Sequence, residues 1–498
     1  MYKKVKIVSF AFLIFCSLFT YDKLKSEEEG VETFPELVEQ TPVIVSKPSG
    51  FSKGIIFIAH GYAGSTSLMS PIAVSLARAG YVTVRFDFFG HGEHPLPYYG
   101  SIVDVNGVTQ LFVDQLDKIV NYYTEAIDHK KALVIGHSMA SDIIFRVANA
   151  NRNIYGAIGL SNYTNQITAD KPKNVLIING AWESRLRGKA LKILEGIGID
   201  NPKENQLYGS IRDGKARKAL AIDNTGHISI LYSAQTQRAI NDWVNSVFGY
   251  EKDDSQIINY IGFWTLCLLS SLLLCFLAFI SIFPKHNSDK IKLNNSIFVL
   301  SIGSGTVLAP IMATYINFSF VPFMTHNYLI KHFFVFSIIT SVNFLPIIKK
   351  FSVNKIDVLI FIFLLAFYIF IFGGTLDRYV SSFFVYSYRL STFFYLVICC
   401  VPIAWLIQIL HETKNFGWIK ATLTKISICI SLIIPIFFKP NELLVVSYAV
   451  LMFLLFYFII GFLSNFLQKR YKNFWVIGLV NGITLAWVFA SVIPLYAG

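Results

Sequence analysis

The chain has 498 residues, 54% of them hydrophobic, and its mean hydropathy is +0.53. Globular domains in water are about 45–50% apolar, so part of this chain must be solvated by lipid. The formal net charge is +12, but the excess of Lys and Arg lies at the N-terminus and in short segments between apolar runs. That distribution is typical of membrane topology and argues against nucleic acid as a partner.

The six cysteines all lie in apolar runs, and none falls between residues 21 and 250. This excludes a disulfide framework or a zinc site in that more polar part of the chain. No HExxH sequence and no phosphate-binding glycine loop occurs either. The sequence therefore predicts neither a metal ion nor a cofactor.

The N-terminal segment combines a basic start with an apolar run. Residues 1–6 (MYKKVK) precede the apolar residues 7–20, and no small-residue cleavage site follows them. We predict an uncleaved signal anchor over residues 1–20, with a cleaved signal peptide as the alternative. Residues 21–41 are acidic and irregular, and we interpret them as a linker.

Residues 42–250 alternate between strand and helix patterns. Short apolar, β-branched runs lie at 54–59, 81–86, 131–135, 154–160, 174–178 and 218–223. Amphipathic helical stretches separate most of these runs. Strands that are buried on both faces and alternate with helices predict an α/β fold, with a doubly wound, mostly parallel sheet.

From residue 256 onward the sequence consists of long apolar runs. We count eight, at 257–283, 293–320, 327–348, 356–374, 385–409, 421–438, 442–467 and 473–496. At 1.5 Å per residue each run can cross a hydrocarbon core about 30 Å thick. Residues 256–498 are therefore predicted to form an all-α, polytopic bundle of about eight transmembrane helices.

Basic residues mark every second loop of this predicted bundle. The four basic loops include Lys285, Lys349, Lys414 and Lys469. Because Lys and Arg stay on the cytoplasmic side, the polar part of the chain is expected outside the cytoplasm, as the basic N-terminus also indicates. We expect a multi-pass protein of a bacterial inner membrane, with residues 21–255 on its periplasmic or outer face.

A nucleophile elbow is indicated where an apolar strand runs directly into a helix, at Gly136-His137-Ser138-Met139-Ala140. In such an elbow a strained turn lifts the serine hydroxyl clear of the sheet. Small residues two positions before and after the serine let the neighbouring backbone pass. Ser138 is the predicted nucleophile, and the alternative is that Ser138 only caps the helix.

A serine nucleophile needs a base, and the base needs an acid to orient it. His227 is the one histidine between Ser138 and residue 250, and it lies between the last predicted strand and the last helix. Glu183 follows the penultimate strand and is the first choice for the acid. Asp223 and Asp200 remain as alternatives.

An oxyanion hole requires backbone N–H groups aimed at the charge that develops during the reaction. Met139, directly after the nucleophile, would supply one of them. The other is expected from Tyr62, in the His60–Ser65 loop after the first strong strand, where Gly61 permits a tight backbone.

Five motifs in this order resemble the α/β-hydrolase superfamily over residues 42–249, in particular its serine aminopeptidase and monoglyceride-lipase-like branch. They are HGYAGS at 60–65, DFFGHGEH at 87–94, GHSMA at 136–140, GAWE at 180–183 and TGH at 225–227. The resemblance implies a Ser138–Glu183–His227 triad that hydrolyses an ester, thioester or amide. It also implies that His91 and His137 are structural neighbours of the site.

This sequence departs from the family pattern at two site positions. Ala140 stands where the elbow usually has a second glycine, and Glu183 stands where Asp is commoner. The 161–173 interval is also too short for the cap that the family often carries. This predicts a site that is open or is closed by something else, such as the membrane surface or an external membrane loop. No Lys- or Arg-rich pocket for an anionic substrate is apparent from the sequence.

We therefore predict a membrane-anchored, extracytoplasmic serine hydrolase that forms an acyl-enzyme on Ser138. Its expected partners are the lipid bilayer and a lipid or acyl substrate. One alternative is a transacylase that passes the acyl group to a membrane-associated acceptor. Another is a transporter or scaffold whose hydrolase-like domain only binds a ligand. The sequence does not indicate an oligomeric state.

Overall fold

The structure is a computed structural model that describes residues 2–126, 131–251, 257–285, 290–343 and 352–498. It has two compact units. We call Leu18–Leu268 together with Arg378–Ser382 the α/β unit. We call Met1–Ser17, Leu269–Asp377 and Phe383–Gly498 the helical unit.

The α/β unit contains a nine-stranded sheet. Its strands are β1 (Val31–Val38), β2 (Thr41–Pro48), β3 (Ile55–Ala59), β4 (Val82–Phe86), β5 (Ala132–His137), β6 (Ile154–Leu160), β7 (Val175–Gly180), β8 (Leu207–Tyr208) and β9 (Arg217–Ile222). Its helices after the first are α2 (Ser70–Arg78), α3 (Gln110–Ala126), α4 (Met139–Ala150), α5 (Ser184–Gly196) and α6 (Ala234–Phe248).

The strand order is β1-β2-β4-β3-β5-β6-β7-β9-β8. Neighbouring strands from β4 through β9 pair in parallel, whereas β1, β2 and β8 pair antiparallel at the two edges. The predicted mostly parallel sheet is thus confirmed. All residues of β3, β4, β5 and β7 are buried, as expected of parallel strands that helices cover on both faces. Parallel strands place their carboxyl ends, and the loops that follow, at one edge of the sheet.

The interval interpreted as a linker is not irregular, and this part of the prediction is wrong. Helix α1 (Tyr2–Ser26) extends beyond the expected anchor, and β1 then pairs residue by residue with β2, from Val31 with Pro48 to Val38 with Thr41. Only Val38 of β1 is fully buried. An edge strand tolerates charged residues and proline because one side makes no ladder. The acidic residues and the proline therefore led to a strand being interpreted as a linker.

The helical unit contains long apolar helices. They are α7 (Ile261–Ser281), α8 (Asn295–Tyr315), α9 (Met324–Ser341), α10 (Lys355–Leu365), α11 (Gly373–Tyr379), α12 (Leu390–His411), α13 (Gly417–Phe438), α14 (Pro440–Leu443), α15 (Val446–Gln468) and α16 (Phe474–Val492). A π-helical segment, Ala366–Phe372, joins α10 and α11 into one long span.

Eight helices among the described residues are long and apolar enough to cross a membrane. One of them is the N-terminal Lys4–Ser26, and the other seven lie after residue 256. The predicted run 327–348 is not among them. Its helix, α9, has 18 residues and carries His326, Lys331 and His332, which lower its hydropathy, and the last residues of that run lie outside the described ranges.

Candidate active site

Ser138 lies between the last residue of β5 and the first residue of α4. Its backbone has φ 53° and ψ −116°, a conformation that costs a non-glycine residue roughly 1–3 kcal/mol. Hydrogen bonds hold the turn in place. The Ser138 N–H donates to the Leu160 carbonyl at 2.9 Å, and the Ser141 hydroxyl donates to the Ser138 carbonyl at 2.6 Å. The sequence thus places a strained serine at the carboxyl edge of the sheet.

The structure constrains Gly136 and Ala140, the small residues two positions before and after Ser138, to different degrees. A Cβ at Gly136 would lie 2.6 Å from the carbonyl oxygen of Ala140, so only glycine fits this close approach of β5 and α4. Ala140 is fully buried and accommodates its methyl group in α4. The departure from glycine at Ala140 therefore leaves the elbow geometry intact.

The structure brings together the three side chains of the predicted triad. His227 Nε2 lies 2.9 Å from Ser138 Oγ, and His227 Nδ1 lies 2.7 Å from Glu183 Oε1. A carboxylate only accepts hydrogen bonds, so Nδ1 carries the proton and Nε2 accepts the Ser138 hydroxyl. The His227 side chain is 47% exposed, so the imidazole is accessible from solvent in the α/β unit.

The Glu183 carboxylate is held by three donors. Besides His227, the Gly180 N–H and the Ser161 hydroxyl each donate to Oε2 at 2.8 Å. Burial alone would raise the pKa of Glu183, but the hydrogen bonds from His227, Gly180 and Ser161 outweigh it and lower the pKa below its ordinary value. The acid is therefore ionised at neutral pH. Nothing in the sequence pattern marked Ser161 as part of the site.

Glu183 is the carboxylate that contacts His227. Asp223 and Asp200, the two alternatives, are exposed on the surface, and neither makes a hydrogen bond to His227 in the described part of the chain. Gly180 explains how Glu183 and His227 come so close, because a Cβ there would lie 2.5 Å from the Thr225 carbonyl oxygen in the histidine loop. Only glycine lets the end of β7 pack against that loop.

The predicted oxyanion donors lie on the two segments that border Ser138. Met139 is the first residue of α4, and the N–H groups of a helix's first turn have no acceptor within the helix. Tyr62 lies in a turn closed by a hydrogen bond from the Gly64 N–H to the Gly61 carbonyl, at 3.0 Å. A Cβ at Gly61 would lie 3.1 Å from the Ser138 Cβ, so this loop runs directly beside the nucleophile.

Two buried histidines hold the backbone of the site. His60 donates from Nδ1 to the Gly61 carbonyl at 2.8 Å and accepts the Phe88 N–H at Nε2, at 3.2 Å. His137 donates from Nε2 to the His227 carbonyl at 2.8 Å. Burial lowers the pKa of each to about 4, so both are neutral at pH 7. They tie the loop of residues 60–65 and the loop that carries His227 to the sheet.

The DFFGHGEH loop supports the loop of residues 60–65 through Asp87, a role that the sequence did not reveal. Asp87 Oδ1 accepts the Thr66 N–H at 2.7 Å, and Oδ2 accepts the Glu93 N–H at 2.9 Å. Burial raises the pKa of Asp87 to about 7. In the same loop, His91 is buried and its ring stacks on Tyr98, with the ring centroids 5.6 Å apart. These contacts fix the loop that carries Tyr62.

A segment distant in sequence also contacts the loop of residues 60–65. Arg378–Ser382, which belongs to the α/β unit, places the Ser382 N–H 3.0 Å from Ser65 Oγ, and both residues are buried. The Tyr232 hydroxyl donates to the Tyr379 carbonyl at 3.3 Å, and Arg378 pairs with Glu28 at 2.5 Å. Ser65 ends the loop that carries Tyr62, so this segment supports the loop from one side while Asp87 supports it from the other.

Residues 161–174 form no cap, and a basic groove lies beside them. Residues 161–174 form neither helix nor strand. Beside them lies a groove of about 700 Å³, lined by Tyr163, Ser184, Arg185, Leu186, Gly188, Lys189 and Lys192. The expectation that no basic pocket exists is therefore wrong. The three cations are spaced along α5. The sequence did not reveal this pocket because it forms only where α5 and the loop that carries Tyr163 come together.

Residues 50–230 match the family model described as serine aminopeptidase, S33. The chain is similar to a dienelactone hydrolase from Anabaena variabilis, at 14% identity and a TM-score of 0.34, covering 45% of this chain and 100% of that one. It is also similar to a predicted CIB-like hydrolase from Thermoplasma acidophilum, at 15% identity and a TM-score of 0.33, covering 43% and 99%. The family match and the mostly parallel sheet together give this part of the chain an α/β-hydrolase-like fold. At these scores the similarities identify no substrate.

Proposed function

We propose that this α/β hydrolase is a serine hydrolase that cleaves an ester, thioester or amide through an acyl-enzyme on Ser138. One observation carries the proposal: a continuous chain of hydrogen bonds from Ser138 Oγ through His227 to Glu183, with steps of 2.9 and 2.7 Å. A structural serine needs no strained backbone, no base within reach and no buried acid behind that base. The same three features are what nucleophilic catalysis requires.

The reaction would follow from this geometry in two halves. Ser138 Oγ attacks the acyl carbon while its proton passes to His227 Nε2, and Glu183 stabilises the resulting imidazolium. The Met139 and Tyr62 N–H groups would bind the oxygen that becomes negative. His227 then gives its proton to the leaving alcohol, thiol or amine. In the second half a water molecule, deprotonated by His227, attacks the acyl-enzyme and releases the acid and free Ser138.

The proposed substrate is a long-chain acyl ester presented at a membrane surface. The site is open, and Trp182, packed on Gly226 beside His227, is 71% exposed. Ile228, the residue after His227, is also exposed. The same chain carries eight helices able to cross a membrane. Moving an acyl chain from the bilayer into water costs about 0.8 kcal/mol per CH₂. An enzyme that meets its substrate at the bilayer surface avoids most of this cost.

The proposed location is the extracytoplasmic side. It rests on the alternation of Lys- and Arg-rich loops with loops that are poor in both, and on the basic residues Lys3, Lys4 and Lys6 at the N-terminus.

The experiment reconstitutes the full protein in vesicles and compares two esters of the same alcohol, one long-chain and inserted in the vesicle, one short-chain and dissolved in water. We expect turnover of both, with the higher kcat/KM for the inserted ester, and none of either by Ser138→Ala. Equal kcat/KM for the two esters would contradict membrane presentation. Activity that survives in Ser138→Ala would contradict the acyl-enzyme itself.

A further inference from the structure

The basic groove begins at the catalytic acid. Ser184, directly after Glu183, lines its near end, and Tyr163 lines its facing wall. The Tyr163 N–H lies 3.3 Å from Ser141 Oγ, and that hydroxyl donates to the Ser138 carbonyl at 2.6 Å. The groove is therefore bonded to the nucleophile elbow on one wall and continuous with the acid on the other. A substrate acylating Ser138 would have part of its length within reach of this groove.

Three positive side chains share this groove without a counter-charge. Arg185, Lys189 and Lys192 are spaced four and three residues apart, which puts them on one face of α5. None of them makes an ion pair within the described residues. Arg187, on a different face of the same helix, is paired with Glu204 through two hydrogen bonds of 2.9 and 2.7 Å. The unneutralised charge is thus confined to the face that lines the groove.

The lining fits an anion more closely than a neutral polar group. A guanidinium offers a planar pair of N–H donors that matches a phosphate or carboxylate, and an ammonium adds a point charge. Lys189 reaches over the Tyr163 ring, 5.7 Å from its centroid, and donates to the Tyr163 carbonyl, so its charge is held at the groove wall. Like charges four residues apart repel one another on a helix, and a bound anion would relieve that repulsion.

We propose that the groove binds a negatively charged head group of the acyl-ester substrate, most simply a phosphate diester. This inference rests on the proposed function, because it assigns the head group of the ester whose acyl group Ser138 receives. Arg185, Lys189 and Lys192 select the anionic substrate, and the triad carries out the chemistry.

The test uses two membrane-inserted esters with the same acyl chain, a monoacyl glycerophosphoglycerol, which is a phosphate diester, and a monoacylglycerol, with the full protein in neutral vesicles. Arg185→Gln/Lys192→Gln removes two charges but keeps most of each side-chain stem. Arg152→Gln/Lys131→Gln is the matched control, because it removes the same two charges just before β6 and β5, at the amino ends of the strands. We expect the groove variant to lose about tenfold in kcat/KM on the anionic ester, mainly through KM, which corresponds to about 1.4 kcal/mol. The neutral ester and the control variant should be unaffected.

Each other outcome has a defined meaning. If the groove variant loses activity equally on both esters, the groove is structural and the proposal is wrong. If wild type shows no preference for the anionic ester while inorganic phosphate inhibits it competitively, the groove binds a free anion and the lipid head-group proposal is wrong. If wild type hydrolyses both esters equally and phosphate has no effect, only the groove proposal fails. If wild type hydrolyses neither, the proposed function fails and this inference fails with it.

Discussion

Ser382 donates its backbone N–H to the side-chain oxygen of Ser65 at 3.0 Å, although 317 positions separate the two residues. Ser65 is the last residue of the loop that carries Tyr62, and both partners of the bond are buried. The residues on either side of Arg378–Ser382 belong to the helical unit. The segment therefore ties the proposed oxyanion loop to a part of the chain that lies beyond the hydrolase sequence.

This bond predicts that Ser65 is a positioning residue for the loop that carries Tyr62. Ser65→Ala leaves the buried Ser382 N–H without its acceptor, which costs roughly 1–3 kcal/mol, and loosens the loop that carries Tyr62. We expect kcat to fall about tenfold with little change in KM, since the oxyanion donors act in the transition state. Steady-state kinetics on a long-chain ester measure both parameters.

The control for Ser65 is Ser49→Ala, which removes an exposed hydroxyl that donates to the Gly30 carbonyl. That variant should match wild type. Wild-type kcat in Ser65→Ala would show that the Ser382 contact does not position the loop.

The acid assignment predicts unequal effects of three amide substitutions. Glu183→Gln keeps the shape of the side chain but removes the charge that stabilises protonated His227, so we expect a loss of about 10³-fold or more in kcat. Asp223→Asn and Asp200→Asn alter exposed carboxylates that do not contact His227 and should leave kcat within about twofold of wild type. An inactive Asp223→Asn beside an active Glu183→Gln would reverse the assignment.

The sequence was sufficient to predict the central sheet and the three side chains that the structure brings together at the candidate site, and the failures have physical causes. Runs such as 131–135 predicted β5 because a strand buried on both faces must be apolar throughout. Strand β1 was missed because an edge strand is free to carry Glu32, Glu36 and Pro35. Glu183 could be ranked first because a strand end fixes its place in the fold.

Contacts that depend on tertiary structure had no local signal. The bond between Ser65 and Ser382 joins two ordinary serines far apart in the chain, and Ser161 supports Glu183 from another strand end. The three basic residues of the groove can be read from the sequence, but only the structure shows that they make no ion pair within the described residues. Helix α9 was predicted as a span because its apolar residues surround the polar positions that lower its hydropathy.

The lowered pKa values of three buried histidines lead us to predict that the protein loses stability in mild acid. Burial lowers the pKa of His60, His94 and His137 from 6.5 to about 4. Between these values the three imidazoles bind protons in the unfolded chain but not in the folded chain, so their contribution to folding stability is lost as pH falls from about 6.5 towards 4. Asp87, whose pKa burial raises to about 7, contributes in the opposite direction, but it is one group against three. Melting temperatures measured at pH 7, 6 and 5 should fall progressively.

His94→Gln serves to attribute this acid sensitivity, because His94 lies outside the triad and contacts Thr41 and Leu96. This variant has one fewer histidine to protonate on unfolding and should show a shallower fall in melting temperature. A melting temperature that does not change between pH 7 and pH 5 would contradict the assignment of these histidines as buried and neutral.

The proposed orientation predicts which positions are accessible from outside the cell. In a background without the native cysteines, Lys203→Cys places a thiol on the exposed surface of the α/β unit, and Lys414→Cys places one in a basic loop. An impermeant thiol reagent should label residue 203 in intact cells and residue 414 only after permeabilisation. The reverse pattern would invert the topology.

The central claim is that Ser138 is the nucleophile, activated by His227. The most direct measurement treats the full protein with a fluorophosphonate, which reacts with activated serines, and locates the adduct by mass spectrometry of its peptides. We predict a single adduct on Ser138 that forms rapidly in wild type, is absent in Ser138→Ala and forms at least about 10³-fold more slowly in His227→Ala. An adduct on another residue, or labelling of Ser138 at an undiminished rate in His227→Ala, would contradict the account.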